Sequence, residues 1–143
     1  MINPKIILDT NILFTALRSD IGASFKLISL IPSDLFNLSV SVPLVVEYED
    51  VLKRPNQLKH ISNKDVDDFI DFIVSVAERK TIHYLWRPFL KGPCDDMLVE
   101  LAVASNADVI VTYNKKDFKN VEESFGIKII DAKELLQLIG VIK

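Results

Sequence analysis

A chain of 143 residues with one cysteine, four glycines and six prolines has little material for cross-links or for structureless linkers. Cys94 alone excludes an internal disulfide and any multi-cysteine zinc site, and it fits a reducing compartment, where its plain role is that of a structural thiol. Tracts of Ser, Gly or Pro are missing, so nothing in the composition argues for disorder. Long apolar runs are missing too. Ile6 to Leu8 is cut short by Asp9, which is too brief for a signal peptide, and no stretch reaches the roughly 18 residues expected of a membrane span. The expectation is a cytoplasmic protein with no membrane segment. An excess of positive charge is also lacking: 17 Lys and Arg against 20 Asp and Glu give a net charge of -3, which counts against a non-specific nucleic-acid binder. It counts less against an enzyme that holds cations at clustered acids, because bound metal inverts the local field. The positive clusters Lys53, Arg54, Lys59, His60, Lys64 and Lys115, Lys116, Lys119 read first as solvated faces.

Nearly half the residues (49%) are hydrophobic, enough to bury one core, and the expectation is a single domain over 1–143. Lys5 to Leu8 reads as a buried strand that runs into Asp9-Thr10-Asn11, residues suited to start a helix. A short helix follows Gly22 and stops before Pro32, and Asn37 to Val40 is a weak strand. Ser41 and Pro43 open a helix to about Lys53. Ser62 with Asp65 is a capping-box variant, followed by apolar residues at helical spacing from Val66 to Ala77, with Asp67, Asp68 and Asp71 on the solvent face. Thr81 to Leu85 reads as a strand, Met97 to Ser105 as a largely buried helix led in by Pro93-Cys94-Asp95-Asp96, and Val109 to Thr112 and Ile127 to Ile130 as strands. A final helix spans Ala132 to about Ile139. Helices alternating with strands predict a three-layer α/β/α sandwich around a central, mainly parallel sheet of four to five strands.

In such sheets the active site lies beyond the carboxyl ends of the strands. Asp9 follows the first strand there, and Asn114 and Asp117 follow the Val109 to Thr112 strand. Asp95 and Asp96 sit at a helix N-terminus, and Glu47 lies one turn into the helix after the second strand. Taken singly, each is an ordinary cap or surface acid; their order around one sheet edge is what points to a site. Clustered carboxylates repel unless a cation joins them, and oxygen donors select magnesium or manganese over zinc. His60 and His83 are not expected to be catalytic.

Four blocks of this sequence resemble the PIN-domain family, and within it the small toxin components of prokaryotic toxin-antitoxin systems. They are Ile7-Leu8-Asp9-Thr10-Asn11, the segment from Glu47 to Pro55, the segment from Asp95 to Ala102, and the segment from Ala107 to Phe118. The resemblance implies a nuclease that hydrolyses single-stranded RNA with Mg2+ or Mn2+ held by Asp9, Glu47 and Asp96, with Asp95 as the alternative acid. It prefers Asp96 by the count back from Thr112. At the fourth acidic position this chain has Asn114, so Asp117 is a candidate to complete the metal site. Thr10, Asn11, Thr112 and Lys115 are candidates to hold water, phosphate or the RNA backbone, with Lys116 and Arg54 as further steering cations. A small antitoxin partner and a homodimer are implied by the same likeness. Two other readings compete: a PIN fold kept as a binding module, and an aspartate-based phosphatase or phosphotransfer domain. The second lacks its local signature, because Asn11 stands where such a phosphatase needs another aspartate.

Overall fold

The computed structural model of the chain describes residues 3–55, 57–58, 60–82, 93–118 and 120–143, without the side chains of Pro93 and Cys94. Lys59, His83, Lys119, the Cys94 thiol and most of the Thr81 to Leu85 segment therefore lie outside the described residues.

The first strand, β1 (Lys5–Leu8), passes through the core with Ile6, Ile7 and Leu8 all but fully buried. An unbroken apolar run of this kind suits a strand covered on both faces rather than one with a wet side. Helices α1 (Thr10–Arg18) and α2 (Ala23–Ser29) lead to β2 (Asn37–Val40), and α3 (Val42–Leu52) and α4 (Asn63–Val76) lead to β3 (Glu78–Arg79). Helix α5 (Pro93–Ser105) precedes β4 (Val109–Val111); a 3-10 turn (Lys115–Phe118) and α6 (Val121–Phe125) lead to β5 (Lys128–Ile130), and α7 (Ala132–Leu138) follows. The helix starts obey the expected local chemistry. Ser41 Oγ accepts the amide of Leu44, and Ser62 and Asp65 exchange both bonds of a capping box.

Among the described residues, five strands pair in the order β3-β2-β1-β4-β5, and every pairing is parallel. This is a three-layer α/β/α sandwich. Connections from β1 to β3 step across the sheet in one direction, and those from β3 to β5 step in the other. Right-handed crossovers then put α1 to α4 on one face and α5 and α6 on the other. The direction reverses between β1 and β4, which makes their carboxyl ends the switch point where ligands of such sheets collect. Leu8 pairs with Val111 across that boundary. The next residues, Asp9 and Thr112, therefore emerge side by side, and the Asp9 amide donates to the Val111 carbonyl at 2.9 Å.

Four elements differ from the sequence reading. The third strand is Glu78–Arg79, earlier than the predicted Thr81 to Leu85, and Thr81 and Ile82 are not in a strand. Ala77 is extended and its two exposed followers pair with Ser39 and Val40, so this edge strand is set by backbone pairing and has no apolar run to announce it. Helix α5 starts at Pro93 rather than Met97, as proline is well tolerated in a first turn. The 3-10 turn and α6 were not predicted; both are too short for a helical apolar stripe.

Candidate active site

Asp9 sits where β1 gives way to α1 and serves as the cap of that helix. Its Oδ1 accepts the Thr10 amide at 2.7 Å, and its Oδ2 accepts the Thr112 hydroxyl at 2.8 Å and the Asn11 side-chain amide at 3.2 Å. Asn11 in turn lies 3.3 Å from Thr112 Oγ1 and accepts the backbone amide of Tyr113 at 3.2 Å, while the Asn114 amide donates to Thr112 Oγ1 at 3.0 Å. Thr112 is fully buried. Thr112 and Asn11 are thus spent on orienting Asp9 and the turn after β4, and Thr10 differs from both. Its Oγ1 is buried with no hydrogen-bond partner among the described residues, in a residue only 6% exposed. An orphaned buried hydroxyl costs about 1–3 kcal/mol, and this one belongs to a residue of the cleft wall.

That cleft has a volume of about 400 Å³. Asp9, Glu47, Asp95 and Asn114 supply its acidic and amide groups; Phe14, Leu44, Val51 and Leu98 form apolar walls, and Arg54 and Gln57 stand at one side. Leu44, Glu47 and Val51 recur at helical spacing and so share one face of α3, and Arg54 follows just beyond its C-terminus. This stripe was legible in the sequence but is masked there by the equally apolar buried face. The α3 face is held against the sheet end by Tyr48, whose buried hydroxyl donates to the Leu8 carbonyl at 2.5 Å, one residue before Asp9.

The structure separates the two neighbouring aspartates. Asp95 lines the cleft, whereas Asp96 is 2% exposed and is absent from the described lining. Successive helical residues point about 100° apart, so the rotation of α5 allows one of the pair to face the cleft. The count along the sequence preferred Asp96; the packing of α5 presents Asp95. Burial raises the Asp95 carboxyl from its ordinary value near 3.8 to about 6, helped by the negative charges of Asp9, Asp117, Asp96 and Glu47. Asp9 is also raised, chiefly by burial and then by Glu47 and Asp117, against the lowering effect of its bonds from Thr112 and Thr10. Asp117 therefore lies close enough to act on both acids although it is outside the described lining, and Asn114 is on the wall itself.

Lys115 turns away from this cluster: its ammonium lies 2.6 Å from Glu134 and 3.9 Å from Asp131 at the start of α7. Most of the earlier basic cluster is also paired. Lys53 meets Glu49 and Asp67, Lys64 meets Asp68, and Arg54 meets Asp50 from the cleft side. Among the described residues, no three Asp, Glu, His or Cys side chains stand close enough together to enclose a metal ion. The donor chemistry nonetheless suits a hard divalent cation. The groups lining the cleft include carboxylates and amides, and two of the acids, Asp9 and Asp95, are raised by burial and by neighbouring negative charge.

A PIN-domain profile matches residues 5–116, which include Asp9, Glu47, both aspartates of α5 and Asn114. The chain belongs to the PIN-domain family. Its fold is similar to that of a chain in the crystal structure of VapBC2 from Rickettsia felis bound to a DNA fragment from their promoter. That match has a TM-score of 0.57 and 17% identity, and it covers 87% of this chain and 96% of that one. No curated protein matches. Asp9, Glu47, Asp95 and Asn114 of this PIN domain line one cleft, with Asp9 directly after β1 and Asn114 in the turn after β4. Among its described residues, no helix is long and apolar enough to cross a membrane.

Proposed function

We propose that this PIN domain is a metal-dependent endoribonuclease that hydrolyses phosphodiester bonds of single-stranded RNA. The observation that carries the reading is the shared cleft of Asp9, Glu47 and Asp95 at the switch point of a parallel sheet, where burial and neighbouring negative charge raise the carboxyls of Asp9 and Asp95 and a cation would relieve both. Asp9, Glu47 and Asp95 are the proposed Mg2+ or Mn2+ ligands, Asn114 contributes a neutral oxygen, and Asp117 and Asp96 add negative charge from behind. A bound divalent cation supplies the positive charge that activates water and offsets charge building on the phosphate. The chain's own groups do the positioning. Thr112 and the Thr10 amide fix both oxygens of Asp9, and Tyr48 fixes the helix that carries Glu47. The open, one-sided cleft favours an unstacked strand over a duplex.

We further read the protein as the cytoplasmic toxin of a toxin-antitoxin pair, with a small antitoxin as partner and self-association as a second contact. Support comes from the four sequence blocks and from the likeness to a VapBC2 chain. The enzymatic reading is tested by titrating Mg2+ or Mn2+ into the purified protein with labelled single-stranded RNA, alongside Asp9→Ala. Metal-dependent cleavage by the wild type and its loss in the variant are expected. No cleavage by the wild type, or full cleavage by the variant, removes the proposal and leaves the binding-module reading.

A further inference from the structure

The acidic cleft does not end at α3. Gln57, on its wall, also lines a neighbouring depression of about 200 Å³ bounded by Leu17, Arg18, Leu58, His60 and Ile61. A second link joins the two: Phe14 lines the first cleft, Arg18 lines the second, and the Arg18 guanidinium lies over the Phe14 ring at 5.4 Å from its centre. Phe14 and Arg18 are one helical turn apart on α1, so the path follows that helix away from Asp9. Charge changes along it. The inner part carries Asp9, Glu47 and Asp95, the boundary carries Arg54, and the outer part carries Arg18 and His60 with no carboxylate. Most other cations of this region are already tied to acids, whereas no carboxylate among the described residues pairs with Arg18.

From this continuity we infer that the outer depression is a subsite for the backbone of a single-stranded nucleic acid whose scissile phosphate lies in the acidic cleft. The inference rests on the nuclease reading for the position of the cut, and it adds how the flanking strand is held. Three physical features favour this occupant. A stacked guanidinium keeps its edge N–H groups available for phosphate while its face is covered by the ring. Phe14 offers an apolar surface beside the acids against which a base can pack. Gln57 and His60 provide further hydrogen-bonding groups along the same wall. An acidic active site in a chain of net charge -3 repels a polyanion, so a cationic contact just outside it is where strand binding gains most.

The test is fluorescence anisotropy of a labelled uridylate hexamer and a labelled uridylate dinucleotide, with calcium replacing magnesium to limit cleavage, at several salt concentrations. Arg18→Ala should weaken hexamer binding about three- to tenfold and lower its salt dependence by about one counterion. The affinity advantage of the hexamer over the dinucleotide should shrink accordingly. Arg18→Lys should restore the salt dependence but only part of the affinity, because an ammonium neither forks nor stacks as a guanidinium does. Thermal unfolding of both variants serves as the folding control, and His60→Ala gives an independent variant at the same wall. Unchanged hexamer affinity and salt dependence in a folded Arg18→Ala protein overturns the inference. So does a hexaglutamate peptide that displaces the hexamer at equal concentration, which would assign the depression to an acidic protein segment. If the hexamer result holds but the wild type cleaves no RNA with any divalent metal, the subsite stands and the nuclease reading falls.

Discussion

The Thr112 hydroxyl donates to Oδ2 of Asp9 at 2.8 Å, a bond between residues 103 positions apart that closes the gap between β1 and β4. Thr112 is fully buried, so the bond fixes the rotamer of the acid at the centre of the cleft. Thr112→Val removes the donor at nearly constant volume. It should cost about 1–3 kcal/mol of stability, read by denaturant unfolding, because a charged acceptor loses a partner. Cleavage should fall by at least about tenfold as Asp9 gains freedom. Stability and activity both at wild-type level would show that the bond does not position Asp9.

Asp9→Asn separates the chemical role of this residue from its capping role. Asparagine caps a helix as well as aspartate does, and in the metal-free protein it removes a carboxylate raised by burial and by Glu47 and Asp117. The variant should melt at or above the wild-type temperature in EDTA, lose its response to Mg2+, and lose cleavage. A variant that unfolds well below the wild type would point to a purely structural acid.

Asp95 and Asp96 should give opposite phenotypes. Asp95→Asn, at the cleft wall, should reduce cleavage about a hundredfold or more and leave the fold intact. Asp96→Asn replaces a carboxylate buried to 2% exposure and should register first as a loss of stability in thermal melts. The reverse pattern would return the metal-ligand role to Asp96.

The pH dependence follows from the sign of the shift. Asp95 is held at about 6 in the fold against its ordinary 3.8, so its contribution to stability is fully present below about pH 4 and is lost as pH rises through 6. Between pH 5 and pH 7.5 this group should lower the melting temperature in EDTA, with Asp9 acting in the same direction. Asp95→Asn should flatten that profile. Adding Mg2+ should raise the wild-type melting temperature more at pH 7.5 than at pH 5, since ligation requires the ionised acids. A magnesium effect independent of pH would argue that the cation binds elsewhere.

Tyr48 reports on the placement of Glu47. Tyr48→Phe removes the bond to the Leu8 carbonyl at a cost of about 1–2 kcal/mol. It should lower the cleavage rate while leaving the strength of oligonucleotide binding within about threefold. Unaltered cleavage in the folded variant would show that α3 is held in place without this tether.

Much of this molecule is local and therefore legible in its residues. Alternating apolar runs and caps determined the order of strands and helices, Ser41 and Ser62 marked two helix starts, and four motif blocks named the family. Strand Glu78–Arg79 carries no such pattern, since its two exposed residues are recruited by an edge of β2. Within the site, the sequence determined that Asp9 ends a strand and caps a helix, because both facts depend on adjacent residues. Tertiary structure decided the rest. It placed Asp95 on the cleft wall and buried Asp96, joined Thr112 to Asp9 and Lys115 to Glu134, and buried the Thr10 hydroxyl without a partner among the described residues. Those outcomes depend on the rotation of a packed helix and on contacts between distant segments, which are fixed by how the core closes and not by any neighbour in the chain.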